Sequence, residues 1–194
     1  MLAKPKKGAR KREIETRATE LFRKKGYTGS SMRDLAQVMG MEAASLYSHI
    51  KSKEDLLHGI CFRMADAFFS AQQAVANPEL SYLEQLENAM VAHVGVITQD
   101  TAASAVFFNE WRHLSPDPLA QFTALRQDYE TKFRELLEAG IKAGEFRAVD
   151  ANFTTLTLFS AMNVIYTWYK AEGSKSPEEI GRELARLLIH GLKH

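Results

Sequence analysis

The chain has 194 residues, with 25 Lys+Arg, 24 Asp+Glu and one cysteine, Cys61. That length allows one large domain or a small one joined to a medium one. The lone cysteine excludes an intrachain disulfide and fits a reducing compartment. The opening "MLAKPKKGARKREIETRATELF" lacks the apolar core a signal peptide needs, so a cytoplasmic protein is expected. The net charge of +1 hides a division: residues 1–58 hold 13 Lys+Arg against 7 Asp+Glu, and the remainder 12 against 17. A basic head of this kind suits a polyanionic partner, or is a solvated tail with none.

Five prolines and scarce β-branched alternation predict an all-α chain. Ile14, Ala18, Leu21 and Phe22 form the apolar stripe of a first helix over about 10–25, which Gly26 ends. Ser30 or Ser31 caps a second helix running to Met39. Gly40 breaks it, and a short helix covers Glu42 to Ser48. Lys51-Ser52-Lys53 is a turn, with Ser52 capping a longer helix that carries Leu56, Leu57, Ile60, Met64 and Phe68. Asn77-Pro78 is a break. Ser81 and Glu84 have capping-box spacing and open a helix to about Thr98. Another spans Ala102 to Leu114. "SPDP" (115–118) separates it from a long helix through Phe122, Leu125, Tyr129, Phe133 and Leu137. After the loop "GEFRAVD", Asp150 caps a helix over 151–171. That stretch holds the longest uncharged run. Its Asn152, Asn163 and threonines favour a buried helix over a membrane span. Ser176, Pro177 and Glu179 start the last helix, with Ile180, Leu184, Leu187, Leu188 and Leu192.

The second and third helices have the spacing of a helix-turn-helix. Ala36 is small enough for close crossing, Gly40 can adopt a turn conformation closed to most residues, and Leu46 returns to the core. The third helix is then free to enter a DNA major groove. It would present Glu42, Ala43, Ala44, Ser45 and Ser48, small side chains that let the backbone approach base edges. A three-helix unit without a ligand has the same spacing. The flanks favour DNA: Ser31, Tyr47, His49 and Lys53 can all hydrogen-bond phosphate. Arg33 can reach phosphate or a guanine edge, and Lys4, Lys6, Lys7, Arg10, Lys11 and Arg12 form a basic arm. Glu42 either reads a cytosine amino group or favours its own helix N-terminus.

These pieces occur together in "ATELFRKKGYTGSSMRDLAQVMGMEAASLYSHIKSKEDLL", Ala18 to Leu57. On this stretch the chain resembles the TetR family of bacterial transcriptional regulators. The resemblance implies a homodimer that binds a palindromic double-stranded operator and is released by a small-molecule effector. A helix-turn-helix domain over 1–54 would be followed by a helical effector-binding and dimerisation domain over 55–194. It also implies phosphate contacts by Tyr47, His49 and Lys53 and close approach to bases by Ala44 and Ser45. "FFNEWRHLSPD" and "YETKFRELLEAGIKAGEFR" look closest to members sensing acyl-CoA, so an apolar or acyl-CoA-like effector is expected.

An effector pocket is expected among Phe107, Phe108, Trp111, Arg112, Phe122, Tyr129, Phe133 and Tyr166, although aromatics at helical spacing also make ordinary core. Arg112, His113, Arg126 and Arg134 either hold an anionic head or pair with Glu110, Asp128 and Glu130. Phe153, Leu156, Ser160, Asn163 and Thr167 on one helix, and Gly181, Leu184, Leu188 and Gly191 on the last, are the candidate dimer faces. Glu110 and His113 have half the spacing of a di-iron carboxylate site, but no second such pair follows. No Ser/His/Asp elbow, phosphate-binding glycine loop or zinc spacing occurs. No cofactor, metal or membrane partner is therefore expected, and no enzyme. The competing reading is a helical carrier or enzyme whose basic end is incidental; another is an activator or genome-organising DNA binder.

Overall fold

A computed structural model describes residues 7–189, with side chains from residue 10 onward. Among the described residues there is no strand. The helices are α1 (Lys7–Lys25), α2 (Met32–Val38), α3 (Ala43–Tyr47), α4 (Lys53–Val75), α5 (Tyr82–Gln99), α6 (Thr101–Asn109), α7 (Pro116–Lys142), α8 (Ala151–Asn163) and α9 (Pro177–Ile189). Short 3-10 turns cover Trp111–His113 and Ile165–Thr167. The described residues fall into two compact units, one within residues 1–64 and 102–122 and the other within 65–101 and 123–194.

In the first unit, Ile14, Ala18, Leu21 and Phe22 of α1 are buried, as are Leu35, Leu46, Ile50, Leu56, Leu57 and Ile60. Ser31 caps α2 through a complete capping box with Asp34. Asp34 also pairs with Lys25 at 2.7 Å. The Lys25 and Ser31 hydrogen bonds hold its carboxyl down to about 2. Gly40 turns the chain between α2 and α3 at φ +60°, a left-handed conformation that a side chain disfavours. The distant segment 102–122 brings Phe107 and Phe122, which meet edge to face at 5.3 Å.

In the second unit, α9 lies against α5 because Gly181 carries no side chain. A Cβ there would come within 2.8 Å of the Val91 Cα. Gly181 is thus spent inside the chain and does not belong to an outward dimer stripe. Ser81 with Glu84 and Asp150 cap α5 and α8 as the sequence suggests. Two helices end earlier than their pattern predicts. The one expected over 102–114 breaks at Asn109. The one expected over 151–171 stops at Asn163, where Val164, Ile165, Thr167 and three aromatics begin a run of weak helix formers. Pro116 stands at the first position of α7, where its missing N–H costs nothing; three of the four residues of "SPDP" are therefore helix. Among the described residues no helix is long and apolar enough to cross a membrane.

Candidate nucleic-acid interface

The reading surface is built on α2, Gly40 and α3. Ala36 and Leu46 are buried, and the Met41 N–H donates to the Ala36 carbonyl at 3.0 Å, tightening the turn. Leu46 is the one fully buried side chain of α3. Around it Glu42, Ala44, Ser45, Tyr47 and Ser48 are exposed, and His49 is half-buried. Tyr47 is 54% exposed. The Ser48 hydroxyl donates to the Ser45 carbonyl at 2.7 Å. Glu42 occupies the N-cap of α3 without a side-chain bond to it.

On the flanks, Arg33 is exposed on α2. The Ser31 hydroxyl donates to Asp34 while accepting the Asp34 N–H at 3.1 Å. Lys53 is more committed than its sequence position suggests. Its ammonium donates to the Tyr27 and Ser30 carbonyls, both at 2.8 Å, and lies 4.1 Å from the Tyr27 ring centre. Two of its three protons are used inside the unit. In the basic arm, Arg10 pairs with Glu13 at 2.7 Å and Lys11 with Glu15 at 3.9 Å, while Arg12 is exposed. Lys4 and Lys6 lie outside the described residues.

The second unit holds an open cleft of about 540 Å³ between α4, α5 and α7. Its floor is Phe69, Val75, Ala89 and Leu136, and Gln72, Gln73, Gln85, Asp128 and Lys132 line it. Of these polar residues, sequence reasoning named only Asp128, and as an ion-pair partner. The adjacent glutamines in "FFSAQQAV" were the available signal. None of the eight expected pocket residues lines this cleft. Phe107, Phe108, Trp111, Arg112 and Phe122 belong to the first unit, where the Arg112 guanidinium stacks 4.4 Å from the Trp111 ring. Tyr129, Phe133 and Tyr166 belong to the second. Phe122 and Phe133 are fully buried; Tyr166 is half-buried.

Beside the cleft floor, Phe69 meets Tyr129 edge to face at 5.3 Å. Tyr129 leads to a buried polar chain that sequence reasoning also missed. The Tyr129 hydroxyl lies 3.2 Å from His93 Nδ1, and His93 Nε2 lies 3.0 Å from Asn163 Oδ1. The amide oxygen only accepts, so Nε2 carries the proton and Nδ1 accepts from the tyrosine. His93 stacks on Phe68 at 4.6 Å. Burial holds it neutral by lowering its pKa to about 4, against a smaller opposing effect of the Asn163 bond. Among the described residues no group of three or more His, Cys, Asp and Glu is placed to hold a metal. Glu110 and His113 stand 3.6 Å apart as a simple pair.

Two family models match the chain: "Bacterial regulatory proteins, tetR family" over residues 14–60, and "Tetracyclin repressor-like, C-terminal domain" over residues 79–192. The HTH-type transcriptional repressor KstR2 of Rhodococcus jostii (strain RHA1) is 29% identical, covering 96% of this chain and 92% of that protein. The structure of the ketosteroid transcriptional regulator KstR2 of Mycobacterium tuberculosis superposes with a TM-score of 0.89 at 21% identity, over 95% of both chains. The structure of AibR in complex with isovaleryl coenzyme A and operator DNA superposes with a TM-score of 0.80 at 25% identity, over 92% of this chain and 97% of that one. The chain belongs to the TetR family and is a ligand-responsive, DNA-binding transcriptional regulator.

Proposed function

We propose that this chain is a homodimeric repressor that occupies a palindromic operator and is released by a small apolar or acyl-CoA-type effector. The observation that carries the reading is the outward side of α3, where Ala44, Ser45, Tyr47 and Ser48 stand exposed around a single buried anchor, Leu46. Ala44 and Ser45 approach base edges; Ser31, Tyr47, His49, Ser48 and the remaining Lys53 proton meet phosphates; Arg33 and Glu42 stand at the groove edge. Residues 1–54 read DNA, and residues 55–194 sense the effector and dimerise.

Exposed apolar side chains support pairing with a second copy. Phe153 is 69% exposed and Leu187 75%, and Leu156, Val164 and Trp168 are also open. Large apolar residues concentrated on α8, the turn after it and α9 suit a protein interface better than solvent. The cleft supports the effector: its volume falls within the roughly 300–1,000 Å³ of ordinary ligand sites, and it combines an apolar floor with a few polar groups. The bound isovaleryl coenzyme A of AibR favours a thioester effector. A regulator of this kind works in the cytoplasm.

The test is selection of genomic fragments by the purified protein at about 0.15 M salt, where nonspecific phosphate binding is weak. A few enriched fragments sharing a short palindrome are expected. Enrichment everywhere, or nowhere, would remove the reading.

A further inference from the structure

The first unit contains a segment remote in sequence from the reading helices, and two carboxylates join the two. Glu110, just after α6, accepts the Tyr27 N–H at 3.2 Å. Glu54, in the first turn of α4, accepts the Ser115 N–H at 3.0 Å, immediately before α7. Each carboxylate takes a backbone donor on the opposite partner, so the segment 110–115 is fastened at both ends. Between these points the Tyr27 and His113 rings stack at 5.4 Å, with planes 19° apart. Tyr27 is the hub. Its N–H goes to Glu110, its carbonyl to Lys53, and its ring packs edge to face on Phe22 at 5.3 Å. Lys53 also takes the carbonyl of Ser30, the residue before the α2 cap. A shift of 110–115 therefore reaches, in two bonds, the start of α2 and the start of α4.

We propose that residues 110–115 form a strap that sets the DNA affinity of the reading head, with Glu110 and Glu54 as its positioning residues. Neither carboxylate touches DNA. They hold the Tyr27–Ser31 loop, and with it Ser31 and Lys53, in the arrangement that binds phosphate. The inference rests on the reading of this head as a DNA-binding surface. It adds that the head's competence is set from the α6–α7 connection and not by the three short helices alone. Sequence gives no hint of this, because the bonded pairs are 83 and 61 residues apart.

The strap acts on the fraction of molecules ready to bind, so its loss raises the apparent dissociation constant by that fraction without removing a phosphate contact. The experiment measures binding of full-length protein to an enriched genomic fragment across a salt series, for Glu110→Leu, Glu110→Gln, Glu54→Ala and Lys53→Ala. Hydrogen exchange at the Tyr27 amide is measured in parallel. Glu110→Leu and Glu54→Ala should each weaken binding about tenfold, as expected when a charge-assisted bond is lost, with the salt slope of wild type. Glu110→Gln, which keeps an acceptor oxygen, should recover most of the affinity. Lys53→Ala should instead lower the slope by about one phosphate. Tyr27 exchange should quicken in Glu110→Leu. Wild-type affinity in Glu110→Leu and Glu54→Ala, or a reduced slope in either, would overturn the strap. Failure of the wild type to bind any fragment would instead remove the underlying reading of the head. If Glu110→Leu does not fold, Glu54→Ala carries the same decision.

Discussion

The reading head and the core of the second unit use opposite means. On α3 the informative residues are small and exposed, and a single leucine holds the helix in place. Around His93 the informative residues are large and enclosed: Phe68, Tyr129, Phe133 and Phe159 surround an imidazole with two hydrogen bonds. A surface meant for another molecule keeps its chemistry outside and needs few anchors. A core that carries polar groups must satisfy each of them, because an unpaired one costs several times what a bond returns.

The largest expected effect tests the single anchor. Leu46→Ala should destabilise the head by about 2–5 kcal/mol, because Leu46 is fully buried and α3 has no other buried side chain. Thermal melting together with operator binding checks it; a loss of under 1 kcal/mol would mean α3 is held by something else. The enclosed histidine comes next. An unfolded chain binds a proton on His93 near pH 6.5, but the folded chain does so only near 4. Stability from this group is whole above pH 6.5 and falls as the pH drops toward 4, by about 3 kcal/mol at about 1.4 kcal/mol per pH unit. Denaturant melts of wild type and His93→Leu across that window isolate the contribution; parallel pH profiles would refute it.

Gly181→Ala should cost about 1–3 kcal/mol by forcing α9 off the Val91 backbone. The readout is denaturant unfolding of the second unit, and a neutral result would show that α5 and α9 can part freely. The smallest effect belongs to the reading surface. Tyr47→Phe removes one hydroxyl from an exposed ring and should weaken all DNA sequences alike, by about 1 kcal/mol, with unchanged melting. A change of base preference would reassign Tyr47 from phosphate to base contact.

The same contrast explains what could be read from the sequence. The helix-turn-helix was legible because Ala36, Gly40 and Leu46 make their contacts within a dozen residues, and the capping pairs Ser31–Asp34 and Ser81–Glu84 are three apart. The inward bonds of Lys53 were not, because its partners are the Tyr27 and Ser30 carbonyls, more than twenty residues back. The cleft was not legible for a related reason: its walls come from three helices. Phe122 and Phe133, which the aromatic periodicity pointed to, are fully buried in the chain. Gly181 read as a small residue fit for close approach, and it is one, but only the fold shows that the approaching helix is the chain's own α5.

The most direct test of the central claim, that α3 reads DNA through its small outward residues, is a binding-site selection with wild type and a Ser45→Asn variant side by side. Altered preference at one position of each half-site, with the salt dependence unchanged, is the predicted result. Identical selected sequences would contradict the assignment of α3 as the base-reading helix.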